Sequence, residues 1–200
     1  MTLDRTAAPL VAGVALLERS LGYTLGSLLL VASDDLQRPT PCRQWDLAML
    51  LAHMDDSLRA LHEATVGGHV GLEPAPCWHD DVHPAVPAVA TLRNRACRLL
   101  GAWNQREAHD HLVSVAGRSM TAPLVAATGA VEVAVHGWDV AQACGRPRPL
   151  PSPLADELLD LAPLLVSYAD RGARFASPVA VAPNTAAGDR LLAYLGRTPP

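Results

Sequence analysis

Two hundred residues, half of them apolar, suffice for one domain with a real hydrophobic core and are too apolar for a disordered chain. The net charge of −4 and the lack of a basic stripe give no reason to expect nucleic-acid binding. Cys42, Cys77, Cys97 and Cys144 are scattered with no C-x-x-C pair, which argues against a zinc ribbon or a disulfide scaffold. The basic residues are all Arg, there is no Ile and only one Phe, a bias that reads as codon usage. It still favours helices, because Ala, Leu and Arg are good helix formers.

A first helix is expected over residues 8–32, with Leu10, Val14, Leu17, Leu21, Leu25 and Leu28 at helical spacing and Ser33-Asp34-Asp35 ending it. Its apolar run, Leu21 to Val31, is too short and too interrupted to span a bilayer, and no cleavage signal follows. A soluble, cytoplasmic protein is therefore the expectation. Arg38-Pro39-Thr40-Pro41 stiffens the next connection. Asp46 is a good N-cap for a second helix to about Val66, with Trp45 placed to staple against Leu50. Its core stripe is Leu47, Leu50, Leu51, Met54, Leu58 and Leu61, with His53 at the edge, where a packing role is the plainest reading.

Residues 67–87 form a Gly-, Pro- and His-rich loop carrying His69, Cys77, His79 and His83, more plausible as a lid or wall than as a metal site of its own. A third helix is expected over 88–106, followed by His109-Asp110-His111, a polar linker, and the alternating Leu112-Val113-Ser114-Val115. Thr121 and Pro123 start a fourth helix that Gly145 ends after Cys144. Ser152 and Pro153 open a fifth to about Tyr168, and a short extended piece near Val179–Val181 precedes a last turn or two over 186–195. The economical architecture is all-α: a four-helix bundle over residues 1–150 with one long crossover loop, and residues 151–200 as a helix and small appendage packed on it within one domain.

The chemistry centres on the fourth helix. Glu132 and His136 are four apart and project from one helical face, surrounded by Ala and Val. Two ionisable groups on an apolar helix are costly to bury without a partner. Either they pair with each other in the core, or they are two ligands of a metal. Bundles build metal sites from facing helices, and His53 on the second helix supplies a third donor. Three protein ligands with a fourth position open is the pattern of a catalytic rather than a structural zinc site, and the N/O donor set also admits Fe²⁺, Ni²⁺ or Mn²⁺.

Pro39-Thr40-Pro41-Cys42-x-x-Trp45-Asp46, Leu50-Leu51-x-His53 and Glu132-x-x-x-His136-Gly137-Trp138-Asp139-Val140-Ala141, in that order, resemble the DinB-like metal-binding four-helix bundles. Within them the chain is similar to the branch related to the N-terminal domain of mycothiol-dependent maleylpyruvate isomerase. The closing Arg171-Gly-Ala-Arg174-Phe175 and Gly196-Arg197-x-Pro199 look like its short subfamily of about 200 residues. The resemblance implies a divalent metal, usually zinc, held by His53, Glu132 and His136, which act in catalysis through that metal. It also implies a low-molecular-weight thiol such as mycothiol, held as thiolate for transfer to, or isomerisation of, an electrophilic small molecule. The isomerase carries a large second domain that this chain does not match, so maleylpyruvate itself is not the expected substrate. Trp45, Ser57, Asp139, Arg171 and Arg174 are candidate pocket or supporting residues, with Asp139 able to take the second ring N–H of His136 or to tie to the Pro39–Trp45 loop. Cys42 is expected to pack. The competing functions are a thiol-independent metal enzyme (hydrolysis, dehydration or cyclisation) and a non-catalytic metal- or ligand-binding protein, either a monomer or a homodimer.

Overall fold

The computed structural model describes residues 8–42, 45–70, 85–105, 112–166, 171 and 175–199, so Cys77, His79, His83, His109, His111 and Arg174 lie outside the described residues. Helices α1 (Ala8–Leu28), α2 (Leu47–Gly67), α3 (Ala85–Gln105) and α4 (Ala122–Ala143) form the bundle, and α5 (Ser152–Leu165) and α6 (Ala187–Tyr194) follow. The contacts run in a ring, α1 to α4 to α2 to α3 and back to α1. Three short strands, β1 (His69–Val70), β2 (Leu112–Val115) and β3 (Arg118–Thr121), make a small sheet in which β1 pairs parallel to β2 and β2 antiparallel to β3. The alternation at Leu112–Val115 is thus a strand, whereas His69, expected in a loop, joins a strand.

Helix α1 stops at Leu28 rather than 32: Leu30 and Val31 hydrogen-bond back into a turn, and Ser33–Asp35 is a separate 3-10 turn. The Asp35 carboxylate accepts from Ala32 N at 3.0 Å, a local bond that competes with helix continuation. Helix α5 ends at Leu165, and the segment near Val179–Val181 is not a strand, although Val179 N donates to Ala193 O at 2.9 Å.

Asp46 caps α2 as its residue type predicts, accepting from Met49 N at 2.8 Å. Helices α4 and α6 end alike. Gly145 and Gly196 take φ of +64° and +80°, and the next residue donates back into the last turn, Arg146 N to Ala141 O at 3.0 Å and Arg197 N to Leu192 O at 2.9 Å.

Helix α4 is buried almost all round, as its near-continuous apolar sequence requires. Its closest partner is α1, which runs parallel to it, since Gly13 lies at Pro123 and Thr24 at Gly137. A Cβ on Gly137 would meet Thr24 Oγ1, so the glycine is what lets the two backbones approach. The Thr24 hydroxyl donates to Val133 O at 2.7 Å, which satisfies a hydroxyl buried in that contact. Against α2, α4 runs antiparallel, with His53 opposite Glu132 and Leu61 opposite Gly129. Four helices joined only by tight turns would place the first antiparallel to the fourth. The parallel α1–α4 pair therefore requires one connection that travels the length of the bundle.

Candidate metal centre

The site is built where α2 crosses α4, and a folded-back loop supplies its roof. Pro39 and Asp46 bridge, Thr40 N donates to Trp45 O at 3.1 Å, and the Thr40 hydroxyl reaches the same carbonyl at 2.9 Å. This pins Trp45 at the start of α2. Its ring lies over His53, with centroids 4.6 Å apart, and 6.3 Å from the His136 ring. The Trp45 indole thus packs on the candidate ligands.

Helical spacing brings Glu132 and His136 to one face of α4, directly opposite His53. Both imidazole Nε2 atoms converge on the same carboxylate oxygen, Glu132 Oε1, at 2.7 Å from His53 and 3.1 Å from His136. The three donor atoms lie within 4.8 Å of one another, and the two imidazoles meet edge to face. His136 is side-chain buried at 6%, while His53 and Glu132 keep 34% and 31% exposure, so the cluster opens to solvent on the α2 side. Ser57, one turn beyond His53, places its hydroxyl 3.5 Å from His53 Nε2. Beside Glu132 and His136 a narrow crevice with room for about one water runs between α1, α2 and α3 and is walled chiefly by leucines such as Leu21, Leu25 and Leu58.

The far nitrogen of His136 faces Asp139: Nδ1 lies 3.0 Å from Asp139 Oδ2. Asp139 is fully buried, and its second partner is Arg197, whose Nη2 donates to Oδ2 at 2.8 Å and whose Nε reaches Oδ1 at 3.4 Å. A carboxylate only accepts, so with carboxylates at both nitrogens the metal-free ring carries two protons. Burial opposes that charge, but the Glu132 charge and the hydrogen bonds to Asp139 and Glu132 outweigh it and raise the His136 pKa to about 9. For Glu132 burial pushes the other way too, yet His136 and then His53 hold its carboxyl well below the usual carboxylate range. Burial likewise opposes charge on Asp139, and the His136 hydrogen bond and the Arg197 charge bring its pKa down.

Two imidazole nitrogens and a carboxylate oxygen, converging at the mouth of an apolar bundle, fit a borderline divalent cation. The His136–Asp139 bond is of the kind that metal-ligating histidines almost always make, and it would leave Nε2 as the nitrogen free to face a cation. A second grouping, Cys42 with His136 and Asp139, also lies within 4.8 Å. It fits a cation poorly, because the Arg197 guanidinium already stands there, with Nη2 at 3.8 Å from Cys42 Sγ.

A family model described as the mycothiol maleylpyruvate isomerase N-terminal domain matches residues 24–141, more than half of the chain. The chain belongs to this family. Among curated proteins it is similar to uncharacterised proteins from two strains of Mycobacterium tuberculosis, each 29% identical over 181 residues, covering 84% of this chain and 88% of the relative. Among solved structures it resembles the crystal structure of the mycothiol-dependent maleylpyruvate isomerase, with a TM-score of 0.60 and 20% identity over 79% of this chain and 70% of that one. A histidine-to-alanine mutant of that enzyme matches at a TM-score of 0.59 and 19% identity, with the same coverage. These structural likenesses carry the fold, a helical bundle consistent with the DinB-like resemblance.

In this member of the mycothiol maleylpyruvate isomerase N-terminal-domain family, His53, Glu132 and His136 come together, with Trp45, Ser57 and Asp139 around them. Arg171 does not join them by any described hydrogen bond. Its Nη1 donates to Ala176 O and Tyr194 O, both at 3.0 Å, and its guanidinium lies over the Tyr194 ring, so it ties down the segment around α6. Cys42 is half-buried, and burial raises its thiol pKa, in keeping with a packing role. The residue sequence reasoning passed over is Arg197, buried at 7%. Its only sequence signal is the Gly196-Arg197 pair, which the matched region does not reach. Among the described residues no helix is long and apolar enough to cross a membrane.

Proposed function

We propose that this protein is a divalent-metal-dependent enzyme that uses a low-molecular-weight thiol, mycothiol or a chemical equivalent, against an electrophilic small molecule. The observation that carries the reading is the convergence of His53 Nε2, His136 Nε2 and the Glu132 carboxylate within 4.8 Å, with the far side of His136 held by Asp139. Zinc suits the donor set best, with Fe²⁺, Ni²⁺ and Mn²⁺ as alternatives. When bound, such a cation supplies the charge that keeps a thiol sulfur deprotonated at neutral pH.

The remaining work falls to this chain's own groups. Asp139 keeps the Nδ1 proton of His136 in place, so that Nε2 gives up its proton towards the centre. Trp45 covers one edge of both imidazoles and keeps water from that side. The Ser57 hydroxyl, 3.5 Å from His53 Nε2, offers a hydrogen bond to a substrate at the exposed side of the cluster. The thiolate sulfur then adds to a carbon of a conjugated double bond, whose π electrons move into the adjoining carbonyl as an enolate. In a transfer the enolate takes up a proton and the carbon–sulfur bond stays; in an isomerisation the former double bond rotates, the enolate re-forms it and the thiolate leaves.

The test is elemental analysis of the purified protein followed by calorimetric titration with mycothiol and other cellular thiols, with His53→Ala as control. One metal per chain and thiol heat that vanishes in His53→Ala are expected. Metal-loaded protein that gives no heat with any thiol, or that turns over substrate without one, sinks the thiol reading.

A further inference from the structure

We propose that Arg197 is a positioning residue of the metal centre, and that it decides which nitrogen of His136 faces the cation. The inference rests on the metal reading above and adds a residue from beyond the bundle to it.

His136 has donor-rich surroundings on both sides. Its Nε2 faces Glu132 and His53, and its Nδ1 faces Asp139 with Cys42 close by, so each side offers two ligand-type groups that complete, with His136, a set of three within 4.8 Å. A half-buried thiol with a buried imidazole and carboxylate makes a respectable soft-to-borderline donor set, so ligand type alone does not select between the two sides. What differs is the guanidinium. Arg197 Nη2 sits at 2.8 Å from Asp139 Oδ2, the same oxygen that takes His136 Nδ1, and at 3.8 Å from Cys42 Sγ. A fixed positive charge there repels a second cation and uses the carboxylate lone pairs a cation would need. It also holds the Asp139 carboxylate in one orientation, and through it the His136 ring.

The placement of Arg197 is determined by backbone geometry. It follows Gly196, whose left-handed φ of +80° and close approach to the Ala176 backbone both exclude a side chain. Its own N–H bonds Leu192 O at 2.9 Å, and its Nη1 donates to Leu195 O at 3.0 Å, so the side chain is anchored at both ends. The equivalent residue at the end of α4, Arg146, follows Gly145 in the same backbone motif and is exposed. The motif alone therefore does not bury an arginine. Arg197 is buried because Asp139 receives it, and Asp139 is the residue that holds the candidate ligand.

The test is cobalt(II) loading, which reports donor type by absorption, with affinity read by chelator competition. Wild-type protein, Arg197→Ala, Arg197→Gln and the exposed control Arg146→Ala are compared, each with its melting temperature. Wild type and Arg146→Ala are expected to bind one cobalt with matching spectra. Arg197→Ala is expected to bind about 10–100-fold more weakly, the usual loss when an outer partner of a ligand is removed, and to gain a near-ultraviolet thiolate-to-cobalt band. That band is expected to vanish when Cys42→Ala is added. A role confined to stability lowers the melting temperature and leaves spectrum and affinity alone, and that result overturns the proposal. If Arg197→Ala does not fold, Arg197→Gln, which keeps a donor to Asp139 but no charge, decides by the same two readouts. A wild-type protein that takes up no cobalt overturns the metal reading as well, so the two failures are distinguishable.

Discussion

Helix α4 turns two very different faces to its neighbours, offset by a single residue. Val133 and Gly137 face α1, where the backbones approach closely and the Thr24 hydroxyl is satisfied by Val133 O. Glu132 and His136 face α2, where three ionisable groups converge and two of them stay about one-third exposed. The first face is dry and closed and gains its stability from close packing. The second tolerates polar groups that packing alone would reject. The rigid α1 contact holds α4 in the register at which the α2 face can assemble a site, which is how preorganised sites are supported.

The sharpest way to break this contrast is on the polar face. Glu132→Ala is expected to abolish stoichiometric metal binding, and in the metal-free protein to drop the His136 pKa from about 9, since the Glu132 charge is the main influence that raises it against the opposing effect of burial. Elemental analysis and NMR titration of the His136 ring check the two halves.

Next comes pH. A cation must replace the Nε2 proton of His136, so metal affinity is expected to fall about tenfold per pH unit below about 9, measurable by chelator competition between pH 6 and 8. The metal-free fold responds with the opposite sign. A pKa raised above its unfolded value of 6.5 contributes stability in full below that value, and the contribution is lost as pH rises to about 9. The melting temperature of chelator-treated protein should therefore decline across that window, and a rise there would contradict the charged His136.

On the dry face, Gly137→Ala forces a methyl onto Thr24, and overpacking of this kind costs about 1–3 kcal/mol, read from the denaturant midpoint. Metal stoichiometry should survive, because the added methyl points away from α2. Smallest of all is the α1–α5 ion pair: Arg19 and Glu157 meet at 2.7 Å but are each nearly half exposed, so Arg19→Ala should cost only about 0.2–1 kcal/mol, and less at high salt.

Much of this was legible in the residues. The four-residue spacing of Glu132 and His136, the cap at Asp46 and the glycines at 145 and 196 each express local physics, and each lies where that physics puts it. His53 was harder, because a histidine at the edge of an apolar stripe looks the same whether it packs or ligates, and only the facing helix distinguishes them. Arg197 was illegible for a stronger reason. Gly145-Arg146 and Gly196-Arg197 are the same local signal, and what separates them is a partner 58 residues away. The same limit applied to His69–Val70, since two residues are too few to show alternation, and their pairing with Ser114 and Val115 is set by tertiary structure. Arg171 read as a candidate pocket residue, and its carbonyl partners lie on a segment with no pattern to announce them.

The parallel pairing of α1 with α4 has a consequence for how the chain is made. Thr24 waits for Val133, a partner 109 residues further on. At about 5–20 residues per second of synthesis, α1 spends on the order of 5–20 s with its closest-packed face bare. Contacts this distant in sequence also slow folding. The nascent protein thus passes through an interval in which the α4-facing side of α1 is uncovered, and the Asp139 carboxylate has no guanidinium against it until Arg197 has emerged.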